Sequence, residues 1–211
     1  ARAALEMALP HIDIIVVPAD RPRRKSLLVA DMDSTMIQCE CIDELADYAG
    51  IKDEVAAITQ KAMRGEVDFR GALKERVALL GGLPEGMLIE CRYERVKLTR
   101  GARTLVQTMK AHGAHSVLVT GGFTAFAGPV GEAIGFDKVV ANELLIEGGK
   151  LTGQVGEPIV DSSAKLETLK AEAAKHGLPL ADTLAVGDGA NDIPMITSAG
   201  SNAETRPAMP T

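Results

Sequence analysis

The sequence predicts an α/β fold, a Rossmann-like parallel-sheet core with a helical cap inserted after the first strand. Three observations carry this expectation. A short run that is apolar on every residue, Leu27–Ala30, is followed by similar runs at Ser116–Thr120, Lys138–Ala141 and Thr183–Gly187, the pattern of strands buried on both faces. Helix-like segments separate the later runs, and strands alternating with helices imply parallel pairing. Residues 41–100 break the alternation, with helical periods and no strand-like run.

Taken in order, Ala1 begins what looks like the end of a helix, and the β-rich run His11–Val17 is stopped by Pro18. Residues 1–26 are too few to build a core. They read as the remnant of an N-terminal region, of a regulatory kind, ending in the basic linker Arg21–Lys25. The core is expected over 27–40 and 101–211, and the cap over 41–100. Within the cap, Phe69, Leu73, Val77 and Leu80 recur at spacings of three and four, one apolar helix face. In the core, Arg103–His112 reads as a helix ended by Gly113. Ser163–His176 reads as another, with Ser162 or Ser163 as N-cap and Gly177 as C-cap. The tail, Ser201–Thr211, has no apolar run, so the further strand that such a sheet wants is not found there.

Composition narrows the function. The 211 residues are 46% apolar and 25% charged, with 3% aromatics and no Trp. The core is therefore aliphatic, and stacking of bases on exposed rings is disfavoured. Lys+Arg number 23 against 29 Asp+Glu, a net charge of −6, which repels a phosphate backbone and argues against a nucleic-acid partner. A small anionic ligand would need a local cluster of cations. No run of ~18 apolar residues marks a membrane span, and residues 1–26 lack the order of a signal peptide. The cysteines, Cys39, Cys41 and Cys91, are odd in number and two are one residue apart. That argues against a disulfide framework and for a reducing cytoplasm. The oligomeric state is open in the sequence, a homodimer included.

Four pieces carry chemistry. Asp31-Met-Asp33-Ser34-Thr35 follows the first strand directly. Two carboxylates one residue apart at a strand's carboxyl end, where α/β sheets gather ligands, suit a hard cation such as Mg²⁺. Gly187-Asp188-Gly189-Ala190-Asn191-Asp192 follows another strand. Two acidic loops at one sheet edge hold more negative charge than a site tolerates without a cation. Thr120-Gly121-Gly122 ends a third strand, a hydroxyl and glycine amides that can cradle an anion. Lys165 stands in the first turn after Ser162-Ser163. A lone helical lysine is ordinarily solvated surface, but at this edge it can neutralise a phosphate. Each loop alone reads equally as a polar turn; it is the set that points to phosphate chemistry.

In this order the pieces resemble the haloacid dehalogenase-like phosphohydrolases, over about residues 24–200. The strings Asp33–Ile37, Glu40–Leu45, Gly121–Phe123 and Gly187–Asp192 look most like the members that act on phosphoserine. The resemblance implies Asp31 as the nucleophile that forms an aspartyl-phosphate and Asp33 as general acid, then base. It implies Mg²⁺ held by Asp31, the backbone carbonyl of Asp33, and Asp188, with Asp192 supporting the metal's waters or Lys165. Thr120, Gly121 and Lys165 would bind phosphate, and Asn191 would reach the ligand. Thr120 stands where Ser is usual and keeps the hydroxyl. Glu40, where the core passes into the cap, would pair with a substrate ammonium, and Arg76 on the cap with its carboxylate. Phe69, seven residues from Arg76 and so on one helix face, and Met63 would form an apolar wall.

Other phosphate chemistries fail on spacing. The residues six beyond Cys39, Cys41 and Cys91 are Leu45, Asp47 and Lys97, not the Arg a cysteine-dependent phosphatase needs. No Gly-x4-Gly-Lys-Ser/Thr loop exists. A receiver-like signalling domain also uses an acidic cluster, a Thr and a Lys on a parallel sheet. Asp33 beside the nucleophile and the long insert argue against it.

Overall fold

The computed structural model describes residues 2–9, 11–12 and 23–204. Its elements are α1 (Arg2–Ala8), β1 (Leu27–Ala30), α2 (Cys41–Tyr48), α3 (Lys52–Met63), α4 (Phe69–Leu79), α5 (Glu85–Arg95) and α6 (Ala102–Ala111). There follow β2 (His115–Phe123), α7 (Thr124–Ile134), β3 (Lys138–Asn142), β4 (Leu144–Glu147), β5 (Lys150–Val155) and α8 (Ser162–Lys175). The last are β6 (Thr183–Gly187), α9 (Ile193–Ser198) and β7 (Ser201–Glu204).

One parallel sheet has the order β3-β2-β1-β6-β7. The wholly apolar run became the central strand, with Leu27 aligned to His115 on one side and Thr183 on the other. Its residues alternate between two cores, as a strand's period of two requires. Leu28 and Ala30 join Val106, Leu118, Phe123 and Phe126; Leu27 and Val29 join Val117, Leu169, Ala173 and Met195. Because the strands are parallel, β1, β2 and β6 all deliver their carboxyl ends to one edge, and the chain leaves each of them there.

Helices α2–α5 form the insert. Its base closes through an antiparallel bridge between Ile37 and Leu98. Leu73, Val77 and Leu80 are buried in the first core, whereas Phe69, the first of that apolar spacing, remains 37% exposed.

Three local readings need correction. Asp161, not a serine, caps α8, its Oδ1 accepting from Ala164 N at 3.0 Å. A carboxylate serves better there because it also complements the helix dipole. The tail does supply a strand: β7 pairs in parallel with β6. An edge strand is held by backbone hydrogen bonds on one side and needs no apolar run. The antiparallel β4–β5 hairpin was not anticipated. Its signal was Gly148-Gly149, both at positive φ (57° and 75°), the backbone that a two-residue hairpin turn demands. Arg2–Ala8 is helical; residues 13–20, which hold most of the expected N-terminal strand, lie outside the described residues.

Candidate active site

The site is built where β1, β2 and β6 end. Asp31 N donates to Val186 O at 2.9 Å, which stitches the first residue past β1 to β6. The chain then turns tightly: Thr35, Met36 and Ile37 N all donate to Met32 O at 3.2, 2.8 and 3.0 Å. Ser34 takes φ 51°, a left-handed conformation uncommon for a residue with a Cβ. Its hydroxyl donates to Glu40 Oε1 at 2.5 Å. Met32 goes fully into the core while Asp31 and Asp33 both face one cavity. Asp33 Oδ1 accepts from Cys41 N at 3.3 Å, at the amino end of α2.

From β2, Thr120 Oγ1 accepts from Gly122 N at 2.9 Å. A Cβ on Gly122 would lie 2.9 Å from Asp33 Oδ2, and one on Gly121 would lie 3.1 Å from Phe69 Cζ, so close approach requires both glycines. From α8, Lys165 is 1% exposed, with Nζ 2.7 Å from Asp31 Oδ1 and 2.7 Å from Asp192 Oδ1. From the loop after β6, Asp188 Oδ1 accepts from Thr35 Oγ1 at 3.0 Å, and Asp192 Oδ2 from Gly189 N at 3.1 Å.

The cavity has a volume of about 380 Å³. The core lines it with Asp31, Asp33, Thr120, Gly121, Asp188 and Asn191, and the insert side with Glu40, Asp43, Phe69 and Arg76. Lys165, expected against the phosphate, is not among the lining residues: its ammonium is buried against Asp31 and Asp192 instead. Arg76 Nε donates to Ala72 O at 3.2 Å, and among the described residues no carboxylate lies within ion-pair distance of it. Met63 ends α3, but its side chain lies outside the described residues.

Burial sets the electrostatics. It lifts Asp31 to about 7, with Asp192 adding to the rise and Lys165 opposing it. It lifts Asp33 to about 8, with Glu40 and Asp31 adding and Cys41 opposing. Glu40 and Asp188 are also raised by burial. Burial pulls Lys165 down, but Asp31 and Asp192 outweigh it and leave the ammonium above its ordinary value. Burial lowers Arg76, against the pull of Asp43 and Glu40.

Carboxylate oxygens of Asp31, Asp188 and Asp192 all lie within 4.8 Å of one another. Asp31 Oδ1 is buried with no hydrogen-bond partner, its 2.7 Å approach to Lys165 being an ionic contact without hydrogen-bond direction. Three carboxylates against one buried ammonium, with an orphaned oxygen among them, fit a hard divalent cation. Both Asp192 oxygens are engaged, by Lys165 and by Gly189 N, whereas Asp31 and Asp188 are each engaged through Oδ1 alone, which leaves their Oδ2 atoms as the available donors. The Asp33 carboxylate is not in this cluster.

Sequence reasoning missed three contributors. Thr35, inside the first motif, orients Asp188. Asn142 ends β3 and ties two strand ends together: its Nδ2 donates to Gly121 O at 2.8 Å and its Oδ1 accepts from Val160 N at 2.7 Å. A polar residue closing an apolar strand was its signal. Asp43 lines the cavity with Arg76; it lies inside the string Glu40–Leu45, which was its signal, although that string assigned it no role of its own.

A parallel sheet with a turn bearing two carboxylates after its central strand, an acidic loop on a neighbouring strand and a buried lysine between them defines a class. The chain belongs to the haloacid dehalogenase-like hydrolases, whose family model matches residues 28–197. The relatives it resembles are more particular. It is 47% identical over 190 residues to a phosphoserine phosphatase of Archaeoglobus fulgidus, covering 90% of this chain and 55% of that protein. It is 48% identical over 198 residues to one of Streptomyces coelicolor, covering 93% and 48%. The chain thus spans about half the length of these curated relatives. A solved structure of a phospho-aspartyl intermediate analogue of phosphoserine phosphatase superposes with a TM-score of 0.77, at 39% identity, over 85% of this chain and 86% of that one.

Proposed function

We propose that this chain hydrolyses O-phospho-L-serine to serine and phosphate, the last step of serine biosynthesis, through an aspartyl-phosphate. The observation that carries the reading is one cavity lined by Asp31, Asp33 and an Arg76 guanidinium that has no ion pair with a carboxylate among the described residues. Asp31 attacks phosphorus, and the bond from phosphorus to the seryl oxygen breaks. Asp33, held near 8 by burial and Glu40, carries a proton at neutral pH and gives it to that oxygen. The resulting Asp33 carboxylate then takes a proton from water as the water's oxygen attacks phosphorus, which frees Asp31 and phosphate.

Mg²⁺ is the ion this oxygen set suits; Asp31 and Asp188, with the Asp33 backbone carbonyl, would hold it. Such an ion neutralises phosphate charge and keeps Asp31 ionised. Thr120 Oγ1 and the Gly121 region face the phosphate, and Lys165 supports from beneath by holding Asp31 and Asp192. Glu40 meets the substrate ammonium and Arg76 its carboxylate by a bidentate fork. Phe69 covers the apolar side. In this reading residues 41–100 act as a cap that selects the substrate, and residues 1–26 belong to a separate N-terminal region. No described helix is long and apolar enough to cross a membrane, and a cytoplasmic setting suits the three free thiols.

Phosphate release from a panel of small phosphomonoesters, with and without Mg²⁺, tests this. Many turnovers per chain on phosphoserine are expected, and Asp31→Asn should reduce kcat by roughly 10⁴-fold or more. One phosphate per chain would instead indicate a receiver-like domain, and near-wild-type turnover in Asp31→Asn would remove the mechanism.

A further inference from the structure

At the sheet edge away from the cavity, a second cluster is left with unmet donors. His115 opens β2, while Glu172 and His176 stand one turn apart at the carboxyl end of α8. Glu172 is 3% exposed. Its Oε1 is paired with Lys138 Nζ at 2.6 Å, but its Oε2 is buried without a hydrogen-bond partner. His115 Nε2 is buried and partnerless as well, 3.5 Å from that oxygen. His176 Nε2 lies 3.7 Å from the same oxygen, and the two imidazole centroids are 4.3 Å apart. Two orphaned atoms at 3.5 Å with no hydrogen bond between them are costly in a buried setting.

We propose that His115, Glu172 and His176 form a binding site for a zinc-class divalent ion, distinct from the carboxylate cluster at the cavity. The donor atoms lie within 4.8 Å of one another, so a small ion among them can reach all three. Two imidazoles and one carboxylate are the donors that Zn²⁺ favours, whereas Mg²⁺ prefers oxygen alone. The supporting shell exists too. Asp137 Oδ2 lies 3.5 Å from His115 Nδ1, which favours a proton on Nδ1 and leaves the Nε2 lone pair facing Glu172. Lys138 holds the other Glu172 oxygen and fixes the carboxylate. Lys175 Nζ, 3.5 Å from Oε2, is 63% exposed and free to swing into solvent. His176 is exposed, so water can complete the coordination. A bound ion would clamp the start of β2 to the end of α8, the helix whose other end presents Lys165.

The test is Zn²⁺ binding to the tag-free chain in excess Mg²⁺, which occupies the oxygen-rich cluster. One equivalent of Zn²⁺ is expected by equilibrium dialysis. At a hundredfold excess over its dissociation constant, Tm should rise by roughly 5–10 °C. His176→Ala should weaken binding by more than about a hundredfold, since even outer-shell partners are worth 10- to 100-fold. His176→Asn serves should the first variant lose the helix end. Asp188→Asn should leave the affinity unchanged. Substoichiometric Zn²⁺ in excess Mg²⁺ would overturn the proposal. So would unchanged affinity in the His176 variants, or loss of binding in Asp188→Asn with retention in His176→Ala.

Discussion

The two walls of the cavity are built on opposite principles. The core wall hangs from strand ends whose backbones are locked into the sheet, and its charges are tied down. Lys165 is saturated by two carboxylates and sealed from water; Asp33 is seated on the amino end of α2; Asp188 is held by Thr35. The insert wall presents Phe69 and Arg76 from one helix, both open to the cavity. Its ion pairs with the core are exposed, Arg70 with Asp161 and Lys74 with Glu157 at 3.0 Å, beside a part-buried bond from Arg92 Nη1 to Ala125 O at 3.0 Å and backbone bonds that tie Gly82 and Leu83 to Leu151. A rigid wall suits bond making, which needs fixed atoms and fixed charge. A wall whose cavity-facing side chains are less tied down suits selection and entry, even though the helix that carries them is anchored in the first core by Leu73 and Val77.

The contrast is broken most severely at Lys165. Lys165→Met keeps the volume but leaves Asp31 and Asp192 buried without their cation. Loss of one partner from a buried ionic set costs about 3–5 kcal/mol, read as a lower midpoint in denaturant at neutral pH. The pH dependence has a definite sign. Lys165 is raised in the folded state, so its contribution is complete below the ordinary lysine value and fades only as pH climbs beyond it. In the variant the buried Asp31 carboxylate, already raised by burial, can be neutralised by protonation, so the deficit should shrink toward acid pH. A deficit that does not depend on pH would mean that Lys165 acts through packing.

Arg76 probes the other wall. If Arg76 meets the substrate carboxylate as proposed, Arg76→Ala should cost phosphoserine about 1.5–3 kcal/mol, roughly ten- to a hundredfold in kcat/KM. Hydrolysis of p-nitrophenyl phosphate, which has no carboxylate, should hold its rate in Arg76→Ala. Part of the loss can fall on kcat, since binding at the remote end also positions the phosphate. An equal loss on both substrates would place Arg76 with the rigid wall and withdraw its part in recognising the carboxylate.

The same contrast explains what could be read from the sequence. The core wall was legible because strand ends write themselves locally: an apolar run, then a carboxylate, on a sheet whose parallel order follows from strand–helix alternation. Lys165 was not legible alone, since a helix face gives no sign of what it packs against; only the set of motifs placed it. Thr35 and Asn142 act through partners far along the chain, 153 and 21 residues away, and such contacts leave no local period. On the insert, Phe69 and Arg76 shared a face as their spacing required, yet Phe69 stays out of the core that Leu73 and Val77 enter. Hydrophobic period alone does not separate a packed ring from one kept for the cavity. The β4–β5 hairpin and β7 escaped for a third reason. Both are short and one-sided, so turn glycines and backbone pairing define them more than apolar runs do.

The smallest effect is expected at Arg70, and it tests whether the insert wall is as lightly held as its contacts suggest. Arg70 Nη2 meets Asp161 Oδ2 at 2.7 Å, but the guanidinium is largely exposed, so water and salt screen the pair. Asp161 has a second duty, since its Oδ1 caps α8 four residues before Lys165. Arg70→Ala removes the pair and spares the cap; Asp161→Ala removes both. Arg70→Ala should therefore move Tm by no more than about 2 °C and change kcat/KM on p-nitrophenyl phosphate by less than about threefold. Asp161→Ala should be clearly worse on both measures, because a lost N-cap costs about 0.5–2 kcal/mol and frays the first turn that carries Lys165. Raising the salt concentration should erase the small effect of Arg70→Ala and leave that of Asp161→Ala largely intact. If Arg70→Ala instead matched Asp161→Ala at all salt concentrations, the bridge between α4 and α8 would be a principal fastening, and the insert would have to be regarded as part of the rigid wall.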